Sequence, residues 1–303
     1  MRPDLRDKLG KEWIFCDGAT GTYLQSRGLR GGELPELWNL THPDIISDLY
    51  TGFLKAGCSI INANTFGANI LKYPDQLEEI ISSAIALAKK ARTDCGREED
   101  AYIALDIGPT GKLLEPLGDL SFEQAIDIFA QVVRIGASCG ADLILIETMN
   151  DTYEIKAAVL AARENCDLPI LATTFDRNGQ LLTGAGVEAV VPLLESLHVD
   201  ALGVNCSLGP HEMKPIVKRL VDAASIPVIV NPNAGLPREE NGRTVFDVTP
   251  EDFAATMSEL ADLGIQVAGG CCGTTFEHIR QEIETLKKKP FRAPVPKHRT
   301  VVT

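Results

Sequence analysis

Residues 143–164 read LILIETMNDTYEIKAAVLAARE. The opening Leu143–Ile146 is an unbroken apolar run, the signature of a short strand covered on both faces. Glu147 and Thr148 turn polar, and the alanine-rich segment Thr152–Glu164 follows with helix-forming composition. Seven further runs of the same kind occur at Trp13–Cys16, Ser59–Asn62, Tyr102–Leu105, Ile170–Thr173, Ala201–Val204, Val228–Val230 and Ile265–Ala268. Helical patterns lie between them, at Asp44–Ala56, Leu77–Arg92, Ser121–Ala137, Val187–Ser196, Pro210–Ala223, Glu251–Leu263 and Thr275–Lys288. Ser121 with Gln124 forms a capping-box pair, and Thr249 before Pro250 marks another helix start. Strands alternating with helices, with no low-complexity linker, predict an α/β chain folded as one (β/α)8 TIM barrel over residues 1–288. A doubly wound open sheet shares the alternation, because counting strands does not show closure. Residues 289–303, with Pro290, Pro294 and Pro296, read as a surface tail or the start of an interdomain linker.

The 303 residues are 45% hydrophobic and 23% charged, which excludes a largely disordered chain. Lys and Arg number 29 against 42 Asp and Glu, a net charge of -13. So acidic a surface argues against non-specific nucleic-acid binding. No apolar run approaches the roughly 20 residues of a membrane helix. The first residues, MRPDLRDKLGKEW, lack the apolar stretch of a secretion signal, so a cytoplasmic protein with no membrane partner is expected. Eight cysteines in 303 residues are too sparse for a disulfide scaffold.

Active sites of such barrels gather at the carboxyl ends of the strands. Here those ends read Asp17-Gly18-Ala19-Thr20-Gly21, Asn62-Ala63-Asn64, Asp106-Ile107-Gly108, Glu147-Thr148, Thr174-Phe175, Asn205-Cys206, Asn231-Pro232-Asn233 and Gly269-Gly270-Cys271-Cys272-Gly273. Three cysteines, Cys206, Cys271 and Cys272, therefore fall beyond strands 6 and 8, where closure brings them together. Three thiolates suit zinc and leave a fourth position open. The adjacent pair needs a turn, for which Gly269, Gly270 and Gly273 supply backbone freedom. Buried small cysteines without a metal, or a redox or nucleophilic thiol, fit the same spacing. A zinc with three thiolates is a modest Lewis acid, better suited to holding a substrate thiol as thiolate than to hydrolysis. Sulfur alkylation is the chemistry this favours.

The remaining ends suit a small zwitterion. Asp17 and Glu147 offer charge for an α-ammonium, and the Gly18, Ala19 and Thr20 amides form a nest for an α-carboxylate. Asp17 also fits a turn residue. Asn233 carries an amide oxygen within reach of a metal or substrate. Neither DGATG nor GPTG matches a dinucleotide fingerprint.

Taken together, DGATGTYLQ, INANTFGAN, DIGPTG, ETMND, LGVNCSLGP, NPNAG and GGCCGTT resemble the homocysteine-binding, zinc-dependent S-methyltransferase family over residues 8–288. The nearest branch is the homocysteine domain of cobalamin-dependent methionine synthases. The resemblance implies a (β/α)8 barrel, zinc on Cys206, Cys271 and Cys272, and a substrate sulfur completing its coordination. It implies that Asp17 and Glu147 hold the amino group, that the Gly18, Ala19 and Thr20 amides lie near the carboxylate, and that Asn233 approaches the zinc when substrate is absent. The product implied is methionine.

The methyl donor divides the family. Branches using S-methylmethionine, S-adenosylmethionine or betaine need this barrel alone. GGCC continues here with Gly273-Thr274-Thr275 rather than the arginine common in the S-methylmethionine branch. That favours methylcobalamin, presented by a corrinoid-binding domain or protein. The chain then corresponds to one fragment of such an enzyme or to a subunit that docks a separate corrinoid protein.

Overall fold

Alternation along eight short strands sorts the side chains into two sets. In the computed structural model, which describes residues 2–174, 179–240 and 243–297, the strands are β1 Ile14–Phe15, β2 Ile60–Asn62, β3 Tyr102–Ile107, β4 Leu143–Met149, β5 Ile170–Thr174, β6 Ala201–Asn205, β7 Val228–Asn231 and β8 Val267–Ala268. All neighbours are parallel, in the order β1-β8-β7-β6-β5-β4-β3-β2. Between the two ends of that order, Ser59 N–H donates to Phe15 O at 2.7 Å and Phe15 N–H donates to Ser59 Oγ at 3.4 Å. One rung further up, the Asp17 carboxylate accepts from Asn62 N–H at 2.8 Å. A side chain thus takes the place of a strand carbonyl, and the sheet curls round into a barrel, as expected from the sequence. Phe175, expected just past β5, lies outside the described residues.

Inward-facing Ile14, Ile60, Tyr102, Leu143, Leu171 and Val267 fill the barrel, and Leu5 from the turn Leu5–Asp7 joins them. The interior is tight enough that a Cβ at Gly203 of β6 would lie 1.9 Å from Ile229 O. Outward-facing Ile103, Leu105, Ile144 and Ile146 pack beneath the surrounding helices in a second, larger cluster.

Local signals start the helices where the sequence places them. Ser121 accepts from Gln124 N–H while Gln124 returns a bond to Ser121 N–H, opening the helix Phe122–Ser138. Thr249 accepts from Asp252 N–H and opens Pro250–Leu263. A short two-stranded ribbon, Arg238–Glu240 with Arg243–Val245, is inserted after β7. Residues 289–297 lie across the amino-terminal end of the barrel, where Phe291 meets Trp13 edge-on and Lys297 N–H donates to Ser225 Oγ. Among the described residues no helix is long and apolar enough to cross a membrane.

Candidate functional site

The same alternation that fills the floor with aliphatic groups changes chemistry at the top of the strands. Continuing inward from Tyr102 and Ala104 gives Asp106; from Leu143 and Leu145 it gives Glu147; from Ala201 and Gly203 it gives Asn205; from Ile229 it gives Asn231. The mouth is a polar layer set on an apolar one.

Cys206 directly follows β6, and Cys271 and Cys272 lie beyond β8. Their sulfurs all lie within 4.8 Å of one another, with Cys206 Sγ and Cys272 Sγ 3.9 Å apart. Backbone bonds hold the two loops together: Cys206 N–H donates to Asn231 O, Cys271 N–H to Pro232 O and Ala234 N–H to Cys272 O. The turn required by adjacent ligands runs from Cys271 to Thr274, whose N–H donates to Cys271 O at 3.1 Å. Its third residue, Gly273, has φ +82°, and a Cβ there would enter the Phe246 ring. Cys206 and Ser207 are themselves left-handed, at φ 58° and 56°, a conformation uncommon outside glycine.

Electrostatics at the sulfurs are asymmetric. Hydrogen bonds from Cys271 and Cys272 hold the Cys206 thiol down at about 3, whereas the Cys272 thiol is pushed up to about 12, first by its bond to Cys206. One thiolate forms readily and its charge opposes the next. A bound cation is what would allow three. Zinc fits on spacing as well, since tetrahedral Zn–S bonds of about 2.3 Å place sulfurs about 3.8 Å apart.

Asp17 is 3% exposed and burial raises its carboxyl well above the ordinary value. Glu147 opens partly to the mouth, yet its carboxyl is raised to about 8, first by desolvation and then by the Cys206 charge. Thr148, at φ 60°, is held by Asn205: Asn205 Oδ1 accepts from Thr148 N–H at 3.0 Å and from Thr173 Oγ1, and Asn205 Nδ2 donates to Thr148 Oγ1. Asn205 therefore fixes the residue next to Glu147.

The Asn233 side chain is among the groups that lower the Cys206 thiol, and its Oδ1 is buried with no partner. Of the three amides expected near a carboxylate, Ala19 N–H already donates to Thr274 Oγ1 at 3.2 Å. Gly18 and Thr20 remain the candidates, Thr20 opening the helix Thr20–Ser26 with Ala19 as its N-cap. Asn64 is structural, bonding Pro35 O and Asn39. Asp106 was recognised in the sequence only as a strand end; its place in the inward series Tyr102, Ala104, Asp106 marks it as part of the mouth.

Most of the exposed large hydrophobic side chains of the described residues lie in the segments that follow strands, with Val295 of the tail an exception. Leu34 lies beyond β1, Phe66 beyond β2, Leu113 and Leu117 beyond β3, Leu182 beyond β5 and Leu236 beyond β7.

Residues 14–286 match the family described as homocysteine S-methyltransferase. Methionine synthase of Mycobacterium tuberculosis is 32% identical over 312 residues, covering 95% of this chain and 26% of that protein. Methionine synthase of Mycobacterium leprae is 31% identical, covering 92% and 24% respectively. The chain thus spans about a quarter of the length of these curated relatives. Among solved structures, the metallated form of the homocysteine methyltransferase MmuM from Escherichia coli superposes with a TM-score of 0.77 at 22% identity, over 92% of this chain and 97% of that one. This likeness bears on the fold, and it is that of a complete barrel. A barrel with three converging cysteines at its mouth, matched along nearly its whole length, leaves no other assignment: the chain belongs to the homocysteine S-methyltransferase family.

Proposed function

We propose that this barrel transfers a methyl group to the sulfur of homocysteine, forming methionine. The observation that carries the reading is the set of three sulfurs within 4.8 Å of one another, in the same mouth as the buried carboxyl of Asp17 and the half-buried one of Glu147. Cys206, Cys271 and Cys272 would hold zinc. Zinc, when bound, supplies the positive charge that keeps a coordinated thiol deprotonated near neutral pH. Asp17 and Glu147 orient the substrate by its ammonium, and the Gly18 and Thr20 amides lie towards its carboxylate. Asn233, whose buried Oδ1 has no partner, would approach the zinc when substrate is absent. Once the substrate sulfur has lost its proton, its electron pair forms the new bond to methyl carbon. The electron pair of the old bond leaves with the donor.

Methylcobalamin on a corrinoid-binding domain or protein is the donor this reading favours over S-methylmethionine, S-adenosylmethionine or betaine. Two observations support it: the curated relatives that the chain matches are methionine synthases, and exposed apolar side chains stand in the segments beyond the strands, on the side where a donor's methyl must enter. Residues 1–288 form the catalytic barrel, and 289–297 run as a surface tail across its amino-terminal end. The reaction is placed in the cytoplasm.

The test is transfer by zinc-loaded protein with homocysteine and each donor in turn. Methionine should form mole for mole with loss of the methylcobalamin absorbance. Formation only from S-methylmethionine, S-adenosylmethionine or betaine would overturn the donor, and no methionine from any donor would overturn the function.

A further inference from the structure

The mouth holds a third carboxylate to which the reading above gives no task. Asp106 faces inward from β3 and is 6% exposed. Its backbone is clamped by Thr65, whose Oγ1 accepts from Asp106 N–H at 3.2 Å and donates to Asp106 O at 2.8 Å. The side chain therefore points where the strand directs it. Its Oδ1 is buried with no hydrogen-bond partner. Burial first, and then the neighbouring carboxyls of Glu147, Asp17 and Glu36, push its own carboxyl well above the ordinary value. A desolvated carboxylate facing other carboxylates is costly unless a cation joins it.

Two other side chains of the same inward layer point independently to the same kind of ligand. Asn231 of β7 is 2% exposed and its Oδ1 has no partner; Asn62 Oδ1 of β2 is likewise buried and unmet. These orphaned groups are acceptors. An ammonium, with one charge and three N–H donors, answers such a layer, whereas a thiol chain without an amine does not. Asp17, by contrast, already spends an oxygen on Asn62 N–H in closing the barrel.

We propose that Asp106 is a specificity-determining residue that faces the α-ammonium and makes this site select α-amino thiols over thiols of equal length lacking the amine. The inference rests on reading the site as one for homocysteine. It adds a residue and a selection rule to that reading: the amine is recognised by three carboxylates, and discrimination is lost when the charge of Asp106 is removed.

The experiment compares binding of L-homocysteine and of its deamino analogue, 4-mercaptobutyrate, to zinc-loaded full-length chain and to the Asp106→Asn variant by calorimetry. A lost charge-assisted hydrogen bond should weaken homocysteine about ten- to hundredfold. Binding of 4-mercaptobutyrate should stay the same or tighten, because the amide keeps the shape and removes a repelling charge. Equal weakening of both ligands would mark Asp106 as merely structural and overturn the proposal, as would unchanged homocysteine affinity. Should the asparagine variant fail to fold, Asp106→Ser gives the same two-ligand readout. Failure of the unaltered protein to bind homocysteine at all would overturn the site reading itself, a result distinct from either of these.

Discussion

The floor and the mouth of this barrel are built from the same eight strands but serve opposite ends. In the floor, Ile14, Ile60, Tyr102, Leu143 and Leu171 meet one another in a packed interior. Two or four residues further along the strands, the layer consists of Asn62, Asp106, Glu147, Thr173, Asn205 and Asn231. There Asn62, Asp106 and Asn231 each keep a buried oxygen without a partner, as does Asn233 just beyond β7. A fold selected for stability alone would satisfy or replace such groups. The difference teaches that the floor supplies the free energy and the mouth draws on it. Packing below holds desolvated acids and left-handed Cys206 in an arrangement that only a ligand completes.

Substitutions in the two layers should therefore separate stability from function. The largest expected effect is at the mouth: Cys271→Ala should abolish zinc retention and methyl transfer while the thermal unfolding midpoint stays near that of the unaltered apoprotein. Metal analysis and calorimetry on the same sample check this, and retained transfer without zinc would break the contrast. In the floor, Leu145→Ala should cost about 2–5 kcal/mol of stability. Zinc stoichiometry in the folded fraction should remain that of the unaltered chain. A floor substitution that strips the metal without lowering stability would show that the layers are not separable.

A smaller effect tests whether a buried acid outside the mouth behaves as a mere cost. Glu282, on the helix Phe276–Leu286, is fully buried, has no partner for either oxygen, and burial raises its carboxyl well above the ordinary value. A raised acid binds its proton more tightly in the folded chain. Its contribution to stability is fully present below the unfolded value of about 4.3 and is lost as pH rises towards the folded value. The urea midpoint of the unaltered chain should fall as pH rises above about 4.3, and Glu282→Gln should reduce that fall. An equal fall in both proteins would assign the pH dependence to other groups.

Much of this contrast was legible in the sequence, for a physical reason. Buried parallel strands read as continuous apolar runs, so Leu143–Ile146 and its counterparts were found, as were the helix starts at Ser121 and Thr249. The rule that barrel sites form at strand ends then brought Cys206 together with Cys271 and Cys272 across more than 60 residues. That same continuity concealed Asp106. Where both faces of a strand are apolar, inward and outward positions look alike until the polar layer begins. Closure was also hidden, because it depends on Ser59 meeting Phe15 and on a side chain, Asp17, completing the next rung. Likewise the use of Ala19 N–H by Thr274 joins residues 255 positions apart, beyond any local signal.

If Cys206, Cys271 and Cys272 hold zinc with a position kept for a substrate sulfur, X-ray absorption at the zinc edge of metal-loaded protein should show three sulfur neighbours, rising to four on addition of homocysteine. A set of neighbours unchanged by homocysteine would refute that site.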